Sequence, residues 1–115
     1  MNKFSTDQEN FISKYKSFKA AVKNIDLDID EYNECSESIE NVKRLEELKQ
    51  NYVKKINIID LFLDSLSEAD RRIVILKYIE RKTSKFIAKE FNIIPQKIIY
   101  KVSLIKKLIL KLECE

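Results

Sequence analysis

The sequence predicts an all-α protein, and three observations carry that expectation. There is no glycine and only one proline in 115 residues, so a structure built from many tight hairpin turns is disfavoured, because such turns depend on residues that tolerate positive φ. Apolar residues recur at alternating steps of three and four over most of the chain, which is the period of an amphipathic helix. Finally, 36% of the residues are charged, enough to clothe the outer faces of several helices. At this length one domain is expected, or one domain with a helical extension, with a modest core.

The first helix is read from Phe11, Tyr15, Phe18, Val22, Ile25, Ile29 and Tyr32, which form a heptad-like seam. Carried backwards, the seam reaches Gln8 and Phe4, so the helix is expected to start after Ser5 or Thr6, either of which can accept from the free amides of a first turn. Residues Ile25 to Asp30 alternate with a period of two, but a strand there would have no partner, and helix is kept. Phe11, Tyr15 and Phe18 lie on the seam and are assigned to the core. Asn33 to Ser38 interrupts the pattern with capping and turn residues. A second seam then runs through Ile39, Val42, Leu45, Leu48, Tyr52, Ile56, Ile59, Leu63 and Leu66. Its consecutive steps of four around Tyr52 argue against a long regular supercoil. A short polar connection between two long amphipathic helices predicts an antiparallel helical hairpin over residues 1–65. The same seams would also serve as a dimerisation element between two chains, and the pattern leaves both pairings open.

Residues 66–112 read as three shorter helices. Ser67 is a good N-cap for the first, with Glu68 and Asp70 in its positive first turn. Thr83 or Ser84 caps the second, which runs to about Phe91 and buries Ile87 and Phe91. The third starts near Pro95, whose missing amide donor costs nothing at a first helical position. Ala88, Asn92, Ile93 and Ile98 have the spacing of a helix-turn-helix: a small residue at a close crossing, a turn residue able to take positive φ, then buried aliphatics. Its second helix would present Gln96, Lys97, Tyr100, Lys101 and Ser103.

Charge divides the chain along the same line. Residues 1–70 hold 10 basic and 15 acidic side chains, whereas residues 71–112 hold 12 basic and two acidic ones. Nine carboxylates fall between Asp26 and Glu47, a stretch that would repel phosphate. The basic third is the electrostatic footprint of nucleic-acid binding, although a merely solvated basic face has the same composition.

The absences exclude whole classes. Without glycine there is no P-loop, dinucleotide fingerprint or nucleophile elbow; without histidine there is no catalytic triad and no histidine metal ligand. Cys35 and Cys114 stand far apart, outside any metal-binding spacing, and read as free thiols of a reducing cytoplasm. The N-terminal residues lack the apolar stretch of a signal peptide, and no apolar run approaches the length of a membrane span. The expectation is a cytoplasmic protein without membrane partner, cofactor, metal or enzymatic activity.

Leu63 and Leu66, Arg71 to Tyr78, Glu80, Thr83, Ile87-Ala88 and Phe91-Asn92-Ile93 together resemble the C-terminal promoter-reading region, region 4, of sigma-70 factors. The resemblance covers about residues 63–110, and the small size with a helical N-terminal segment is similar to the sigma-like regulators of phages and prophages. It implies double-stranded DNA as ligand and RNA polymerase as a protein partner. It also implies that Lys97, Tyr100 and Lys101 lie at or beside major-groove contacts and that Lys82, Lys85 and Lys89 touch flanking phosphates. Gln96 suits an adenine edge, and Tyr100 suits a phosphate or a thymine methyl, or packs on Ile99. The sequence departs from the family where Asn92 replaces the usual glycine, where Ile94 replaces the usual serine cap, and at Pro95, Gln96 and Ile99. The spacing Ile98, Val102, Ile105, Ile109 differs by one residue from the family's, which leaves the recognition-helix register open by one.

Residues 1–65 are too acidic to resemble a promoter-melting region, so the expected activity is that of a sequence-specific DNA-binding transcription regulator and not of a complete sigma factor. The alternative is a helical protein-interaction module, a polymerase modulator or a phage or plasmid maintenance component, whose basic third meets an acidic protein.

Overall fold

A computed structural model describes residues 6–35 and 39–113, all of whose regular structure is helical. Phe4, Ser5, Cys114 and the Ser36–Ser38 part of the connection between the long helices lie outside the described residues. The elements are α1 (Asp7–Ser13), α2 (Tyr15–Cys35), α3 (Ile39–Asp64), α4 (Glu68–Val74), a π-helical turn (Ile75–Ile79), α5 (Ser84–Phe91) and α6 (Pro95–Ile109). Among the described residues no helix is long and apolar enough to cross a membrane.

The expected single N-terminal helix is two helices. Thr6 caps α1 through a reciprocal capping box with Glu9, and the chain breaks at Lys14, whose N–H turns back to the carbonyls of Phe11 and Ile12. Phe11 and Ile12 are both buried, Ile12 completely, so α1 turns two neighbouring side chains into the core just before the break. The sequence seam therefore names Phe11 correctly and misses both Ile12 and Glu9.

From Tyr15 onwards α2 and α3 run antiparallel. The Tyr15 hydroxyl donates to Asp60 at 2.6 Å, the Phe18 and Tyr52 rings meet at 5.9 Å, and Asp26 pairs with Lys49 at 2.7 Å. The two seams thus meet each other within one chain. The helix persists through Ile25–Asp30, where the sequence pattern also allowed alternation. Near the body the packing is dense, with Phe11 and Phe18 stacked in a tilted pair at 5.6 Å. Towards the far end it thins: Tyr32 and Leu48 are exposed and Ile39 almost fully so, although all three belong to the seams.

One buried cluster joins α1, the lower ends of α2 and α3, and everything from Leu66 to Ile109. It contains no residue of α2 beyond Phe18 and none of α3 before Tyr52. Ile12, Ile59, Val74, Ile87, Ile98 and Ile109 are its fully buried aliphatics, each contributing on the order of 1.5–3 kcal/mol by leaving water. The α2–α3 pair projects from this body, giving a molecule 58 × 28 × 25 Å in extent.

The helix that starts at Ser67 changes character partway. Ser67 accepts from the Asp70 N–H, and Arg71 donates through Nε to the Leu63 carbonyl at the end of α3, which also accepts from the Leu66 N–H. After Val74 the bonding widens to i→i−5, as in Glu80 N–H to Ile75 O at 2.8 Å, and this π turn places Tyr78 in the core. Phe91, expected to be buried, is only half-buried and lies beneath the Arg72 guanidinium at 4.8 Å. One side of the ring packs against the core cluster, and the cation lies over its face.

Candidate nucleic-acid interface

Thr83, and not Ser84, caps α5, accepting from the Phe86 N–H at 3.1 Å. At the other end Asn92 adopts φ 57°, ψ 44°, the left-handed conformation. The Ile93 N–H reaches back to Ala88 O at 3.0 Å and the Asn92 N–H to Lys89 O, the paired bonds of a Schellman ending. Asparagine is tolerated there because its short polar side chain carries little of the steric penalty that other Cβ-bearing residues meet. The chain then enters α6 through Ile94, which offers no side-chain cap, with Pro95 in the first turn. Ala88 and Ile98 are buried on either side of the turn.

α6 buries Ile98, Ile105 and Ile109, so its outer face is fixed by helical spacing. Gln96, Tyr100 and Ser103 form one exposed row, which Lys107 continues; Lys97 and Lys101 stand in the neighbouring row. Tyr100 is 64% exposed, and so is its neighbour Ile99 at 57%, so both stand outside the core. The Ser103 hydroxyl donates to Tyr100 O at 2.7 Å, leaving its oxygen as the group offered to solvent. Lys107 was missed by the sequence reading, although its distance from Gln96, three turns along, is the signal that places it in the same row.

Lys101 is differently engaged. Its ammonium lies 3.1 Å from Asp70 Oδ1, an oxygen shielded from solvent that has no aligned hydrogen bond. The pair ties α6 to the start of α4. Three other bases of the last third also have partners within the fold: Arg71 a backbone carbonyl, Arg72 the Phe91 ring, and Lys106 the Glu9 carboxylate at 3.7 Å. Lys82 lies over the Phe86 ring at 5.0 Å, while Lys85 and Lys89, one turn apart, are exposed along α5. Arg81, at φ 58°, is exposed at the turn before α5. The basic face thus combines Arg81, Lys82, Lys85 and Lys89 on the α5 side with Lys97 and Lys107 on α6.

Glu9 holds α1 against this unit. Tyr78 donates its hydroxyl to Glu9 Oε2 at 2.7 Å, and Thr6 donates from both its N–H and its hydroxyl to Oε1. Burial pushes the Glu9 carboxyl up, but the bonds from Tyr78 and Thr6 and the charge of Lys106 outweigh it and hold the group below its ordinary value. Burial first, then the bond to Glu9, drives the Tyr78 hydroxyl well above the usual tyrosine range. Burial and the Asp60 contact push Tyr15 up to about 12.

The chain matches no protein-family model, no curated protein and no solved structure.

Proposed function

We propose that the protein is a sequence-specific, double-stranded-DNA-binding transcription regulator in which α5, the Asn92 turn and α6 act as a helix-turn-helix of the sigma region 4 type. The observation that carries this reading is the outer row of α6, where Gln96, Tyr100 and Ser103 stand exposed behind a tight left-handed turn, flanked by lysines on both helices. A side-chain amide, a phenol and a hydroxyl are groups that bond base edges and phosphates, and the lysines release counterions from the backbone. Residues 66–112 then form the reading unit and the α2–α3 hairpin the accessory part. Lys101, bound to Asp70, positions α6 more than it reads bases, and Lys97 takes the groove-facing charge. RNA polymerase is the protein partner this reading favours.

The test is fluorescence anisotropy with random duplex DNA over a salt series, followed by selection of preferred sequences. Binding is expected to fall steeply with salt, and Lys85→Ala/Lys89→Ala to reduce the slope of log K against log salt by about two, one per lost phosphate contact. Gln96→Ala is expected to relax preference at one base pair by about 1–3 kcal/mol without changing that slope. Absence of binding at low salt overturns the reading.

A second reading, a helical protein-interaction module, is favoured by the exposure of Ile94, Ile99, Leu104 and Leu108 beside the same lysines. Binding to an acidic partner that survives Gln96→Ala but fails with Leu104→Ala/Leu108→Ala would mark it.

A further inference from the structure

The α2–α3 pair leaves the body at Phe18 and Tyr52 and carries an open groove near its far end. The groove has a volume of about 770 Å³, and Asp30, Glu46, Glu47, Lys43 and Ile29 line it together with the Asp26–Lys49 pair. Around it, residues 26–50 hold nine carboxylates against three bases. Exposed apolar side chains, Leu27 and Leu48, stand among these charges. The outer face of α6 has the opposite character: Lys97 and Lys107 beside exposed Tyr100, Leu104 and Leu108. The groove lining holds four carboxylates against two lysines, one of them paired with Asp26, so it is net acidic where the outer face of α6 is basic.

The two surfaces cannot meet within one chain. α2 starts at the body with Tyr15 and runs outwards for 15 residues to Asp30, roughly 22 Å at 1.5 Å per residue. No α2 residue beyond Phe18 and no α3 residue before Tyr52 joins the cluster that contains α6. The match is therefore available only between molecules.

We propose that α6 of one copy docks in the α2–α3 groove of a second copy, head to tail. Lys97 and Lys107 meet Asp30, Glu46 and Glu47, while Tyr100 covers Ile29. The contact is heterologous: each copy offers two different surfaces, so association is open-ended unless an end is blocked. It rests on the charge division and the groove, and not on DNA reading; its test contains no DNA. Because the same face of α6 is used, the acidic groove also competes with any phosphate ligand for it.

The experiment is sedimentation equilibrium of the full chain at low salt over a wide concentration range, with two variants. Lys97→Glu/Lys107→Glu spoils the α6 surface, and Glu46→Lys/Glu47→Lys spoils the groove; all four residues are exposed, and circular dichroism verifies the helices of each variant. Wild type is expected to form a concentration-dependent series that dissociates as salt is raised. Each variant alone is expected to sediment as a monomer, and an equimolar mixture to associate again, since the native groove of one variant meets the native α6 of the other and the two reversed surfaces are complementary in their turn. Independently of any variant, carbodiimide treatment of wild type is expected to join Lys97 or Lys107 to Glu46 or Glu47 between chains, with loss of water as each amide forms. A monomeric wild type at every concentration, a mixture that stays monomeric, or intermolecular amides lying elsewhere overturns the proposal.

Discussion

The body and the projecting half of the α2–α3 pair are made of the same kind of helix, yet one is held by a many-sided buried cluster and the other by a single two-helix seam, in which Ile25 is buried and Asp26 pairs with Lys49. In the body, α1 is only seven residues long and is fixed because Phe11, Ile12 and Glu9 all find buried partners. In the projection, helices several turns long place seam residues such as Leu48 and Ile39 in water. Length and seam quality do not decide where stability resides; closure by a third element does.

The comparison breaks most directly at Ile12. Ile12→Ala is expected to cost about 2–5 kcal/mol, since the side chain is fully buried and leaves a cavity, whereas Leu48→Ala, on the other region's seam, is expected to change stability by less than about 0.5 kcal/mol. Urea denaturation of both variants checks this, and equal losses would abolish the distinction.

The attachment of α1 sharpens it further. Tyr78→Phe removes a bond to a buried carboxylate and is expected to cost about 2 kcal/mol. Glu9 has its folded pKa below the ordinary value of 4.5, so its contribution is present above the unfolded pKa and is lost as pH falls through the folded one. Tyr78 and Tyr15 act at the other end: their folded pKa values lie above the ordinary 10.0, so their contributions are present below pH 10 and are lost as pH rises, through about 12 for Tyr15. Thermal melts across pH are expected to lose stability on both flanks, with Glu9→Gln flattening the acid flank and Tyr15→Phe the alkaline one.

The smallest effect is expected at the turn. Asn92→Ala places an ordinary Cβ at φ 57° and is expected to cost about 1 kcal/mol, while Asn92→Gly is neutral or slightly stabilising. Differential scanning calorimetry resolves the two.

The sequence made the helical class legible through period and composition, and its capping residues marked helix starts well: Thr6, Ser67 and Thr83 all cap where side-chain oxygen chemistry places them. Three features were not legible. The break at Lys14 is invisible because Phe11 to Phe18 keeps an unbroken seam. The π turn has no local composition signal. The pairing of Lys101 with Asp70 joins residues 31 positions apart, and a count of basic residues assigns that charge to solvent when the fold spends it internally. For the candidate site, Gln96, Lys97, Tyr100, Lys101 and Ser103 are all exposed, as are Lys82, Lys85 and Lys89. Exposure at the expected helical spacing was legible, and the internal commitments of the neighbouring bases were not.

A π turn holds one residue more than an α-helix needs over the same span. In this chain the surplus residue lies between Val74 and Glu80. Without it, every side chain downstream would rotate by about 100° about the helix axis, and the Tyr78 phenol would swing away from Glu9. The bond that ties Glu9 of the N-terminal helix to Tyr78 thus depends on a single residue's worth of chain length in a different element.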